Sequence, residues 1–105
     1  MLYVTAMDGV PGASFRKAAA NNNAFGFSTS EMSHADLGEP KGAFIVCEAY
    51  ACRVSFGGTT STATVGMLLS PGDSIYLKQN KWVRTASFIN KTAGENTVLQ
   101  VTMEY

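Results

Sequence analysis

The chain is expected to fold as an all-β protein, an antiparallel β-sandwich or jelly roll of about seven or eight short strands with a loop-rich N-terminal segment. Three features carry this expectation. Runs rich in branched and aromatic residues recur about every ten residues, clusters of turn formers separate them, and the clearest runs alternate apolar with polar side chains. The chain has 105 residues and is 46% hydrophobic, with one Trp, four Tyr and six Phe. A globule of this length hides about two-thirds of the surface its unfolded chain would expose, enough for one core and not for two. Residues 1–105 are therefore read as one sandwich, with a loop-rich stretch over 1–42 that holds one or two short strands, and the main strands over 43–105.

Leu2-Tyr3-Val4-Thr5 is a candidate first strand. Loop formers punctuate the chain from there to residue 42: Asp8-Gly9-Val10-Pro11-Gly12, Asn21-Asn22-Asn23, Ser28-Thr29-Ser30 and Gly38-Glu39-Pro40-Lys41-Gly42. Ser14-Phe15-Arg16-Lys17-Ala18 fits a second strand or a single helical turn, and the asparagines stop any helix begun by Ala18-Ala19-Ala20. From Ala43 to Phe56 no glycine or proline intervenes, which predicts one long strand or two joined by a bulge. Cys52, Val54 and Phe56 alternate there with Arg53 and Ser55, the period-two signature of a half-buried strand. Gly57-Gly58-Thr59-Thr60-Ser61 turns the chain into Ala63-Thr64-Val65-Gly66-Met67-Leu68-Leu69. Ser70-Pro71-Gly72-Asp73 suits a type II turn, with Pro and Gly at its central positions. Ser74-Ile75-Tyr76-Leu77-Lys78 is the next strand, Gln79-Asn80-Lys81 a polar link, and Trp82 to Ile89 another strand. The last, Thr97 to Tyr105, puts Leu99, Val101, Met103 and Tyr105 on one face and Gln100, Thr102 and Glu104 on the other.

Eight basic and eight acidic side chains cancel. Without a basic excess, neither nucleic acid nor an anionic membrane is an expected partner, while association with protein is made easier. No apolar run of about 18 residues is present to span a bilayer, and the first nine residues have neither a basic n-region nor a long apolar h-region, so the chain is expected to stay in solution. Cys47 and Cys52 lie in what reads as one strand, which would send their side chains to opposite faces. They are expected to be unpaired, buried thiols in a reducing compartment.

No catalytic constellation is expected, and no cofactor or metal. His34 is the sole histidine. A metal there would need Glu31, Asp36 or Glu39 to converge on it from loops. No Gly-x-Ser-x-Gly elbow accompanies His34 and Asp36, and Gly57, Gly58 and Gly66 lack the Lys-Ser or Lys-Thr ending of a phosphate loop. Pro71 to Tyr76 has the form of a cupin turn without the cupin histidines. Trp82, Tyr76 and Tyr50 could make a sugar-stacking platform, although Trp82 and Tyr76 serve equally as interface anchors. The strand-poor N-terminal segment carries Phe15, Phe25, Phe27, Met32 and Leu37, which must pack on the chain's own sheet or on a partner, and these are the candidate partner contacts.

Cys52-Arg53-Val54-Ser55-Phe56-Gly57-Gly58, Gly66 to Leu77, and Phe88-Ile89-Asn90-Lys91-Thr92-Ala93-Gly94 ahead of Val98 to Tyr105 together resemble small virion proteins of tailed bacteriophages that decorate or cement the capsid. The likeness covers about half the chain and consists of an arrangement of strands and turns. It implies a jelly-roll cement protein, not an enzyme, bound as a dimer or trimer to the major capsid protein on the outer capsid surface after assembly in the host bacterial cytoplasm. A tail-fibre or carbohydrate-binding module is the alternative, and a cupin-like enzyme a further one.

Overall fold

Seven antiparallel strands and one short helix succeed one another along residues 9–58, 60–62 and 64–105, which are those the computed structural model describes. The strand expected at residues 2–5 lies outside them. The strands are β1 (Pro11–Ala18), β2 (Gly42–Ala49), β3 (Cys52–Ser55), β4 (Met67–Leu69), β5 (Ser74–Leu77), β6 (Ser87–Asn90) and β7 (Val98–Glu104), with helix α1 (Asn80–Thr85) between β5 and β6. They form two sheets, one ordered β1-β7-β2-β5 and the other β4-β3-β6. Phe25 adds a one-residue bridge to Phe88 on β6, closed by a pair of backbone hydrogen bonds of 2.8 and 2.7 Å. With Phe25 as a vestigial second strand, the winding is that of a jelly roll.

The interior lies between the sheets. Leu99, Val101 and Met103 from β7, Ala43, Ile45 and Cys47 from β2, and Cys52 and Val54 from β3 all face it and are buried. The alternation read in β7 holds, with one exception: Glu104, on the outward face, is only 2% exposed. The turn at Ser70–Asp73 forms as its residues require. Gly72 has φ +92°, Asp73 N–H donates to the Ser70 carbonyl at 2.8 Å, and the Asp73 carboxylate accepts the Ser70 amide at 2.9 Å.

Five expectations need correction. The run from Ala43 to Phe56 is two strands in different sheets. Tyr50, at φ +55°, turns the corner between them in a left-handed conformation that costs a residue bearing a Cβ about 1–2 kcal/mol. Because the strand breaks there, Cys47 and Cys52 face the same interior, not opposite faces. The strand expected to start at Trp82 begins with α1 instead. Val83 within the helix and Ala86 just after it are both buried, and the Thr85 hydroxyl donates back to the Lys81 carbonyl at 2.6 Å. Of the described residues in the run ending at Leu69, only Met67–Leu69 is strand. Finally, β1 extends back through Pro11 and Gly12, residues read as loop, since an edge strand accepts a proline at its first position.

Candidate functional site

Four of the five apolar residues of the N-terminal segment are engaged inside the molecule. Phe25 stacks on Phe88 with ring centroids 5.6 Å apart, Phe27 meets Phe88 edge-on at 5.5 Å, and Phe15 meets Phe27 at 6.3 Å. This aromatic chain, with Met32 packed against the core, fills the side of the sandwich where a full second strand would lie. What these four offer a partner is the part of each side chain that remains accessible. Leu37 alone of the five is exposed.

Trp82 and Tyr76 sit on α1 and β5 and do not form a shared platform. Trp82 leans on Phe56 at 5.6 Å. Tyr76 turns its hydroxyl to Glu104, and the Lys78 amine lies 5.8 Å over its ring. Tyr50 is exposed at the corner between β2 and β3.

Around His34 the loop is closed on itself. Its Nδ1 accepts the amides of Asp36 at 3.0 Å and Leu37 at 3.2 Å, and its ring tilts against Tyr105 at 5.1 Å, whose phenol is pushed up by burial. Burial raises the Glu31 carboxyl, but the Lys17 ammonium, 2.9 Å away, and the Ser28 amide outweigh it and hold the group below its ordinary value. An open cleft of about 460 Å³ between β1 and this loop is lined by Arg16, Glu31, His34 and Tyr105 among others. Among the described residues no three imidazole, thiol or carboxylate groups come together as a metal site. No helix among them is long and apolar enough to cross a membrane.

The feature that stands out is the side of the sandwich formed by the edge strands β4 and β5. In register, Leu69 lies opposite Cys52, Leu68 opposite Arg53 and Met67 opposite Val54. Leu69 therefore points inward and is buried, and Leu68 points outward. Met67 shares the inward face, but the sheets part beneath it, leaving a groove of about 220 Å³ between Met67, Val54 and Leu69 on one side and Asp73, Ser74 and Ile75 on the other. As a result Met67 is 59% exposed, Leu68 47% and the neighbouring Val65 49%. Scattered exposed apolar residues are ordinary, but two on an edge strand with a third just ahead of it form the kind of patch that meets another protein.

The approach to this strand is firmly held. Ser61, buried, joins Ser55 at 2.8 Å and donates to the Ser87 carbonyl at 2.6 Å, while the Arg53 guanidinium donates to the Gly66 carbonyl at 3.1 Å. The sequence holds one signal for this patch that periodicity alone passes over. Met67, Leu68 and Leu69 are consecutive, so a strand cannot turn all three toward the core. No protein-family model matches the chain, and no curated protein or solved structure matches it.

Proposed function

We propose that this chain is a structural virion protein that binds the outside of a phage capsid and stabilises it, with the β4 edge as its contact with the shell. The observation that supports this most is the apolar patch of Met67 and Leu68 on an edge strand with Val65 just ahead of it, beside a groove and anchored through Ser61 and Arg53. Partly exposed apolar side chains on a rigid edge favour protein–protein contact through desolvation and strand pairing. The jelly-roll winding and the resemblance of the C-terminal half to capsid-decorating proteins point the same way, although a fold of this kind serves many functions.

On this reading the mechanism is binding alone. A protein that binds only the assembled shell stabilises it by mass action, and a dimer or trimer presenting several copies of the patch gains further through avidity. Co-sedimentation of the purified chain with virions or empty capsids, alongside light scattering of the free protein, tests it. Saturable binding at a fixed ratio to the major capsid protein is the expected result. A monomer that stays in the supernatant at all concentrations would overturn the proposal and favour glycan adhesion, for which the accessible parts of Trp82 and Tyr76 would be the place to look.

A further inference from the structure

Cys47 ends the interior face of β2, and Cys52 opens that of β3. The corner at Tyr50 and Ala51 folds the chain back so that both thiols enter the space between the sheets, 1% and 0% exposed. Both side chains belong to the one buried cluster between the sheets, separated in the chain only by the four residues of the corner, and the Thr97 hydroxyl lies 3.8 Å from Cys47 Sγ. Two half-buried strands in one sheet would have kept such residues apart; a corner between two sheets brings them together.

We infer that Cys47 and Cys52 are an oxidisable dithiol pair, which an organic disulfide converts into an internal disulfide joining β2 to β3 across the interior. The inference stands independently of the capsid reading. One cysteine, as thiolate, attacks a sulfur of the reagent RSSR and expels RS⁻, giving a mixed disulfide. The second thiolate attacks the protein sulfur of that mixed disulfide and expels the other RS⁻. The two thiols lose two electrons and two protons, and the reagent leaves as two RSH.

The same burial that brings the thiols together keeps them quiet. Desolvation raises Cys47 and pushes Cys52 up to about 11, so little thiolate exists at neutral pH and none of it faces solvent. Exchange therefore waits for the corner to open, or takes place while the chain folds.

The test equilibrates the full chain with a fixed ratio of reduced to oxidised glutathione, once under native conditions after refolding and once unfolded in concentrated urea. Each sample is quenched, alkylated in denaturant and weighed intact. A chain whose mass has fallen by two hydrogens, and which takes up no alkyl group, carries the internal disulfide. If the fold holds the pair in place, the ratio of internal disulfide to dithiol in the folded sample exceeds that in the unfolded one by about tenfold or more. A ratio equal to or below the unfolded one would overturn the inference, as would glutathione adducts or linked dimers as the main oxidised products. The single variants Cys47→Ser and Cys52→Ser serve as standards, since each can form a mixed disulfide or a linked dimer but no internal disulfide.

Discussion

Tyr76 on β5 donates its hydroxyl to the Glu104 carboxylate on β7 at 2.5 Å, reaching over β2, which runs between them. The crossing is open because the β2 residue paired with Glu104 is Gly42. A Cβ there would collide with the Leu77 carbonyl oxygen and press on Glu104 Oε1 at 3.0 Å. The same carboxylate also accepts the Gly9 amide at 2.9 Å. One buried acid on β7 thus ties β5, across β2, to the segment leading into β1. Tyr76→Phe should lower stability by about 1–2 kcal/mol, because the carboxylate loses a charge-assisted donor and keeps its burial. Glu104→Ala should cost more, about 3 kcal/mol, since it strands both donors. Urea unfolding with an unchanged m-value checks both, and equal losses for the two variants would show that the hydroxyl contributes all that the carboxylate does.

Asn90 does comparable work at the end of β6, where it is 4% exposed. Its Oδ1 accepts the Thr97 amide at 2.9 Å, and its Nδ2 donates to Asn96 Oδ1 at 2.9 Å and approaches the Asn21 carbonyl and Asn22 Oδ1 at 3.2 Å each. Asn22 Oδ1 in turn accepts the Gly94 amide at 2.9 Å. Replacing this side chain leaves a buried amide without its acceptor, so Asn90→Ala is expected to cost about 2–3 kcal/mol. The loss should be local before it is global. Hydrogen exchange at Thr97 should quicken more than exchange at Val101 in the middle of β7, and uniform acceleration along β7 would contradict the assigned role.

These two centres mark the limit of what the sequence makes legible. Periodicity found β7, β3 and β5 and the polar turns, because an inward face in a sandwich leaves a period-two trace whatever its partner strand. It did not find the corner at Tyr50, since a left-handed residue with a side chain has no compositional sign, and that one corner decides where both cysteines point. Nor did it find α1, whose single buried residue, Val83, is too little to set a helical period. The asparagines at 21–23 read as a solvated loop, yet Asn22 and the Asn21 carbonyl close on Asn90 from about seventy residues away, and no local pattern records such a pairing. The edge patch was visible in principle, in the three consecutive apolar residues of β4.

Acid should weaken one contact selectively. Burial raises Glu31, but Lys17 and Ser28 hold it below the ordinary carboxylate value, so its folded-state pKa lies under its unfolded one. The stability it lends is therefore fully present above the ordinary carboxylate range and drains away as pH falls through the folded value. With one partly exposed ion pair the effect is under about 1 kcal/mol. Glu31→Gln should unfold at a lower urea concentration than the parent chain at pH 7, and the difference should close as the pH is taken toward 3. A gap that persists at the acid end would mean that the loss comes from packing of the 28–33 loop on β1 and not from charge.

The β4 edge offers the sharpest separation of folding from binding. Leu68 points away from the core and Met67 hangs over the groove, so Met67→Ser with Leu68→Ser removes apolar surface that the free protein leaves in water. Stability should stay within about 0.5 kcal/mol of the parent for each change. If these two side chains are buried against the shell, each contributes about 1.5 kcal/mol there, and the double variant should bind capsids about 100-fold more weakly. Leu69→Ala is the converse. That side chain is buried opposite Cys52, so the change should cost about 2–4 kcal/mol of stability while the folded fraction keeps its affinity. A double variant that binds as the parent does would show that the Met67 and Leu68 side chains are not buried against the shell. The capsid contact would then be sought at the accessible edges of Phe15, Phe25, Phe27 and Met32 and at Leu37, where the loop-rich segment crosses the aromatic side of the sandwich.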